Sequence, residues 1–184
     1  MKMNVVKKTL VIATCLYLVG CASGAQVENM VYQGEQKVYP AAVQNNLALS
    51  SVSGGEDTNA AWTSEISDVA FSDAIKESLL EQGLFSEKGK YQLSAKIVDV
   101  EQPLFGLDMT VTTKVNYTLT DTLSGKVVLD EVVVAPHTAT FGDAFSGVAR
   151  LQMANEGSGK KNIEALLNKL AELNIEANEV HLVQ

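Results

Sequence analysis

The sequence predicts an α+β fold, a two-layer sandwich in which two helices cover one face of an antiparallel sheet of about four strands. Two observations support this prediction. Several segments alternate apolar and polar residues, which indicates strands with one wet face. Two longer segments repeat apolar residues at helical spacing, and the predicted order is β-α-β-β-β-α. Helices that bury one apolar stripe against one sheet face produce such a two-layer arrangement.

Glycines mark the ends of the first strand and the first helix. Residues 47–52 form a short apolar strand, which Gly54 and Gly55 terminate. A broad apolar stripe predicts a helix over residues 64–82, with acidic and capping residues near its start. Gly83 then closes this helix.

The next two strands are predicted from period-two patterns. Residues 91–100 alternate until Val98, where the pattern shifts and suggests a bulge. The strand from Leu107 to Thr120 is the cleanest element, because apolar residues alternate along it with polar, threonine-rich ones.

The remaining elements are a final strand and a long helical region. The fourth strand covers residues 127–140, and Pro136 places its end at a sheet edge or bulge. A second helical region begins near Asp143. Gly157 and Gly159 either kink this helix or divide it in two, and the sequence leaves the choice open.

The N-terminus has the anatomy of a secretion signal. A basic start is followed by an apolar run over residues 9–20, too short for the roughly 20 residues that span a bilayer. The sequence Leu18-Val19-Gly20-Cys21 resembles the bacterial lipobox. An ordinary signal with an incidental Cys21 is the alternative, although cleavage sites favour small residues rather than cysteine.

This resemblance implies how the chain is divided. Residues 1–20 are a signal peptide, 21–45 a lipidated tether, 46–175 one α+β domain and 176–184 a tail. The first half of the tether is expected to be a flexible spacer, and its second half either a spacer or a docking segment. The resemblance also implies a diacylglycerol and a third acyl chain, such as palmitate, on Cys21. Ala22, where an aspartate would signal inner-membrane retention, implies an outer-membrane location facing the periplasm.

Charge and motifs argue against several functions. Loss of residues 1–20 removes three lysines and no acid, so the formal net charge of −8 becomes −11. A chain this acidic is repelled by a phosphate backbone, so we expect no nucleic-acid partner. His137 and His181 have no partners at metal-ligand spacing, and the sequence contains no phosphate-binding loop or nucleophile elbow. We therefore expect no metal and no cofactor.

Three residues are candidates for chemistry. Asp99 and Glu101 could share one strand face and serve a small hydrolase or transferase, provided that one carboxyl is deeply buried. A solvated sheet surface explains them more simply, and we prefer that interpretation. Arg150, the chain's single arginine, is either a solvated or ion-paired helix residue or a clamp for a phosphate or carboxylate.

The stretch Ala149-Arg150-Leu151-Gln152-Met153-Ala154-Asn155-Glu156-Gly157-Ser158, followed by Asn162-Ile163, resembles the C-terminal helix of small lipoproteins of the YajG family. The order of elements is also similar in outline to the lipopolysaccharide-assembly lipoprotein LptE. The resemblance implies a non-enzymatic outer-membrane lipoprotein and supplies no catalytic residues.

The sequence therefore predicts a binding or assembly accessory of the cell envelope, anchored through Cys21 and contacting an envelope protein. The predicted partner surface is the polar sheet face with Arg150: Thr110, Thr112, Lys114, Asn116, Thr118 and Arg150. The alternative is a lipid or lipopolysaccharide carrier, which requires an open apolar groove between helices and sheet.

Overall fold

Four strands, adjacent in the order in which they follow along the chain, form the sheet, and the two long helices lie against one of its faces. The computed structural model describes residues 23–59 and 63–175. The strands are β1 (Leu47–Ser53), β2 (Tyr91–Glu101), β3 (Met109–Asp121) and β4 (Val127–Ala139). The helices are α1 (Val27–Met30), α2 (Asp68–Glu81) and α3 (Gly147–Ala171). This architecture confirms the predicted α+β two-layer fold.

One strand pair differs from the prediction of an antiparallel sheet. β1 and β2 are parallel, from Leu47 opposite Tyr91 to Ser53 opposite Lys96, whereas the β2–β3 and β3–β4 pairs are antiparallel. The sheet is therefore mixed. The reason is the connection, because a helix that crosses between neighbouring strands returns the chain to the end where it started.

Strand β3 shows the predicted division into a dry and a wet face. Its inward residues are buried: Met109, Val111, Thr113, Val115, Tyr117 and Leu119. The strand begins at Met109, two residues later than predicted, and Leu107 lies 73% exposed in the preceding loop. The predicted bulge in β2 is confirmed between Ile97 and Asp99, and β4 is an edge strand as expected.

Helix α2 starts four residues later than predicted. Ser67 is its N-cap, and the Ser67 hydroxyl accepts a hydrogen bond from the Ala70 amide at 3.2 Å. Gly83 follows the helix with φ of +66°, a conformation that glycine adopts without steric cost.

The segment predicted to begin as a flexible spacer is instead packed on the domain. Ala25, Met30 and Val31 are buried, and Met30 has no exposed surface. Tyr32 donates its amide hydrogen to the Ser78 hydroxyl of α2 at 3.0 Å. The sequence could have indicated this, because the apolar residues of 27–31 fall on one side of a single helical turn.

Helix α3 runs unbroken through Gly157 and Gly159, which settles the question that the sequence left open. Both glycines allow close contact. A Cβ at residue 157 would overlap the His137 ring of β4, and one at residue 159 would lie 2.8 Å from the Met30 sulfur. The helix tolerates their lower propensity because each admits a neighbouring side chain.

A buried hydrogen-bond network joins α3 to the two strands beneath it. The Ser158 hydroxyl accepts from the Thr113 amide at 3.0 Å and donates to the Ala135 carbonyl at 2.7 Å. The Asn162 side chain donates to the Val133 carbonyl at 3.2 Å and accepts from the Tyr117 hydroxyl at 2.9 Å. Burial raises the pKa of Tyr117, which keeps its hydroxyl protonated as a donor.

Replacing Ser158 by alanine should therefore destabilise the fold. The Thr113 amide and the Ala135 carbonyl would lose a buried partner, at an expected cost of about 1–3 kcal/mol in free energy of unfolding. Glu164→Ala, on the exposed side of the same helix, should change it by less than about 0.5 kcal/mol. Urea denaturation followed by circular dichroism measures both. Equal midpoints for the two variants would contradict the network's role.

A double-mutant cycle tests the contact at Gly157. Gly157→Ala should destabilise the wild-type chain because the new methyl group overlaps the His137 ring. In a His137→Ala background the same change should stabilise it, by up to about 1 kcal/mol, through helix propensity. The sign reversal is measured by urea denaturation of the four proteins. The same sign in both backgrounds would show that the ring does not set the requirement for glycine.

Candidate functional site

The predicted polar surface lies on the sheet face away from α2 and α3. Thr110 is exposed, and Thr112, Lys114, Asn116 and Thr118 are half-buried. They form a row because alternate residues of β3 point to the same face. The structure thus brings together five of the six residues predicted for a partner surface.

Side chains of the neighbouring strand organise this outer face. Asp130 of β4 accepts hydrogen bonds from Asn116 and Thr118, both at 3.2 Å. The hydroxyls of Thr110 and Thr138 lie 2.8 Å apart. Exposed polar pairs of this kind hold the side chains in place but remain available to a partner.

Lys114 is the central charge of the face. Its ammonium group lies 2.5 Å from a Glu101 carboxylate oxygen and 3.1 Å from one of Asp99. Hydrogen bonds to Glu101 and Asp99 raise the pKa of Lys114. Both carboxyl groups are open to solvent, with side chains 47% and 59% exposed for Asp99 and Glu101. The deeply buried acid on which the hydrolase alternative depended is therefore not found at this pair.

Two valines that sequence reasoning did not assign to the surface belong to it. Val132 and Val134 of β4 are each 55% exposed and lie opposite Asn116 and Lys114 in the register. They alternate with the buried Val133, and this period of two was the available signal. The outer face thus combines a polar row with an apolar edge.

Arg150 does not lie on this surface, which corrects its predicted place there. Arg150 is 95% buried, and it lies beneath the β2–β3 and β4–α3 loops at one end of the sandwich. Its guanidinium donates to the carbonyls of Ala144 at 2.6 Å, Phe145 at 2.9 Å and Gly106 at 3.3 Å. It also lies over the Phe141 ring, 5.3 Å from the centroid. Arg150 is neither solvated nor a visible anion clamp, since it holds backbone carbonyls instead.

These two loops form a second candidate surface that the sequence did not reveal. Residues 102–108 connect β2 to β3, and residues 140–146 connect β4 to α3. Their large apolar side chains are exposed, and we call the set the apolar end: Leu104, Phe105, Leu107, Phe141 and Phe145. The sequence predicts Leu107 in a strand and Phe145 in a helix that begins near Asp143, whereas the strand starts at Met109 and the helix at Gly147.

The N-terminal segment enters the domain beside α3. The buried Glu156 carboxylate accepts hydrogen bonds from the Gln26 backbone amide at 3.0 Å and from the Asn29 side-chain amide at 2.9 Å. Gln152 donates to the same carboxylate at 3.0 Å and to the Gly24 carbonyl at 3.2 Å. The chain is thereby fixed from Gly24 onward. Cys21 and the predicted signal peptide, residues 1–20, lie outside the described residues.

The described residues contain no candidate metal site. No group of three or more His, Cys, Asp or Glu in residues 23–59 and 63–175 could hold a metal ion. His137 packs against α3, and burial together with Lys161 lowers its pKa. His181 lies outside the described residues.

The groove required by a lipid carrier is closed where the structure describes it. The α3 side chains that face the sheet have no exposed surface: Ile163, Leu166, Leu167 and Leu170. Opposite them, Val115, Tyr117 and Leu119 are equally inaccessible.

Within the described ranges, no helix is both long and apolar enough to span a bilayer.

Comparison with known proteins identifies structural neighbours of low sequence identity. A Xanthomonas campestris protein of the DUF330 family has a TM-score of 0.54 at 14% identity, covering 74% of this chain and 91% of that protein. A candidate lipoprotein from Caulobacter crescentus has a TM-score of 0.49 at 13% identity, over 72% and 91% of the two chains. PelC from Paraburkholderia phytofirmans, a dodecamer, has a TM-score of 0.48 at 18% identity, over 74% and 96%.

No protein-family model matches the sequence, and no curated protein matches it significantly. At 14% identity, the likeness to the DUF330 protein concerns the fold alone.

The role of Glu156 can be tested by local opening. Glu156→Ala would leave the Gln26 amide and the Asn29 side chain without their acceptor. Amide hydrogen exchange of residues 26–31 should accelerate by about tenfold or more, while α2 keeps its protection. Glu164→Ala is the matched control on the exposed side of α3. Unchanged exchange at residues 26–31 would show that Glu156 does not hold the segment.

Proposed function

We propose that the chain is a non-enzymatic lipoprotein of the outer membrane, anchored through Cys21 and facing the periplasm. It acts as a binding or assembly accessory of the cell envelope, and its partner contacts the outer face of the sheet. The observation that carries the proposal is that neither long helix covers this face, which displays an ordered row of polar side chains beside exposed valines.

The chemistry of the outer face suits a protein partner. The positively charged Lys114 lies between the carboxylates of Asp99 and Glu101. The threonine hydroxyls can both donate and accept hydrogen bonds. Val132 and Val134 supply apolar area at the sheet edge, so the face mixes polar and apolar contacts as transient interfaces do. A membrane anchor raises the effective concentration near such a partner, so high intrinsic affinity is not required.

Two observations support lipid anchoring. The lipobox-like run ends at Cys21, and the described chain is fixed to the domain from Gly24 onward. The resemblance to the YajG family rests on the C-terminal helix, where Gln152 and Glu156 hold that N-terminal segment. In this proposal these helix residues position the anchor.

The anchor is tested by Cys21→Ser. The variant should lose radiolabelled palmitate and leave the membrane fraction, or accumulate unprocessed. Ser50→Ala, which keeps Cys21, should fractionate as the wild type does. A processed Cys21→Ser protein that still sediments with outer membranes would overturn the lipoprotein assignment.

The partner surface is tested by photocrosslinking in cells. A photoreactive residue at Asn116 should capture one envelope-assembly or transport component reproducibly, identified by mass spectrometry. The same residue at Glu164, exposed on α3, should not capture it. Capture of the same component from both positions, or of abundant neighbours alone from Asn116, would contradict a specific surface on the sheet.

A further inference from the structure

We infer that the apolar end is a membrane-contact surface that seats the domain on a zwitterionic bilayer next to its own lipid anchor. This inference rests on the proposed lipidation of Cys21. It assigns a role to a part of the molecule that partner binding on the sheet face does not use.

The exposure of the apolar end is the first observation. Leu104, Phe105 and Phe145 are 95%, 85% and 90% exposed. Leu107 and Phe141 add 73% and 50% in the same two loops. Single exposed apolar residues are ordinary, but several gathered in adjoining loops mark an interaction site.

The two loops are held together, so the apolar side chains are presented by a fixed structure. Arg150 donates to carbonyl groups of both loops, and the Phe141 amide donates to Asp108 at 2.9 Å. The rings of Phe141 and Phe145 meet edge to face at 6.1 Å between centroids. Because the buried Arg150 guanidinium bonds to loop carbonyls, it stabilises this particular arrangement of the two loops.

The position of the N-terminus identifies the membrane as the occupant. Gly24 is bound by Gln152, two residues beyond Arg150 in α3. Cys21 lies three residues before Gly24, a reach of about 10 Å even when fully extended. Acyl chains on Cys21 would therefore enter the bilayer beside this end of the sandwich, and no long spacer can carry the domain away.

Charge selects the kind of bilayer surface. Residues 102–108 and 140–146 contain no Lys or Arg that could bind an anionic headgroup. Their two acids are used locally, because Asp108 accepts from Phe141 and Asp143 accepts from the Thr140 amide at 2.7 Å. Contact is therefore apolar, and it occurs at the depth of the headgroup–acyl boundary rather than through electrostatic attraction.

The test places one tryptophan in the full-length, lipidated protein. Phe105→Trp probes the apolar end, and Leu123→Trp probes the β3–β4 hairpin, where Leu123 is also exposed. The hairpin lies at the other end of β3, about 40 Å away. Both proteins also carry Trp62→Phe. They are reconstituted in vesicles of phosphatidylcholine brominated near the headgroup end of its acyl chains.

Emission from Phe105→Trp should fall by roughly half, and emission from Leu123→Trp should stay unchanged, because bromine quenches only at short range. An anchored protein in which neither tryptophan is quenched would overturn the inference alone and leave the anchor intact. That result would indicate that the apolar end contacts a protein partner rather than the bilayer. Failure of the protein to associate with vesicles would overturn both the inference and the proposed anchor. Equal quenching at both ends would show that the domain has no preferred orientation.

Discussion

Hydrogen bonding by the inner face of α3 is the constraint on which the rest of the molecule depends. Asn155, Glu156, Ser158 and Asn162 are all buried there, where a helix usually carries apolar residues. Each binds groups on another element, so any shift of the helix would leave several buried polar groups unsatisfied. Because each such group costs about 1–3 kcal/mol, the network fixes one position of the helix far more strictly than apolar packing would.

The two halves of α3 contribute differently. Its C-terminal half supplies apolar burial through residues such as Ile163 and Leu166, and this burial drives association with the sheet. Its N-terminal half locates the loops and the N-terminal segment. Asn155 donates to the Ser64 carbonyl at 2.6 Å and accepts from Gln102 at 3.1 Å, which ties the approach to α2 to the end of β2. One helix therefore coordinates all the parts that meet at one end of the sandwich.

The sequence was informative wherever a short-range pattern decides the structure. The alternation along β3, the Ser67 cap and the positive φ at Gly83 all follow from local chemistry. The direction of β1 was predicted wrongly, as antiparallel, because a short strand has no mark of its pairing direction and the α2 crossover sets it.

The candidate surfaces show the same difference between features set by a local sequence pattern and features set only by the folded chain. The polar row of β3 was predictable from its period of two. Burial of Arg150 was not, since only the folded chain brings the carbonyls of Gly106 and Ala144 to its guanidinium. The apolar end was missed because a sequence pattern cannot distinguish an apolar residue in a core from one at a loop tip.

The hydrogen bond from Gln26 to Glu156 joins residues 130 positions apart in the chain. A chain made from its N-terminus cannot close this contact until nearly all of the domain has been synthesised, and closing so large a loop comes late in folding. The N-terminal segment therefore waits without its binding site while the rest emerges.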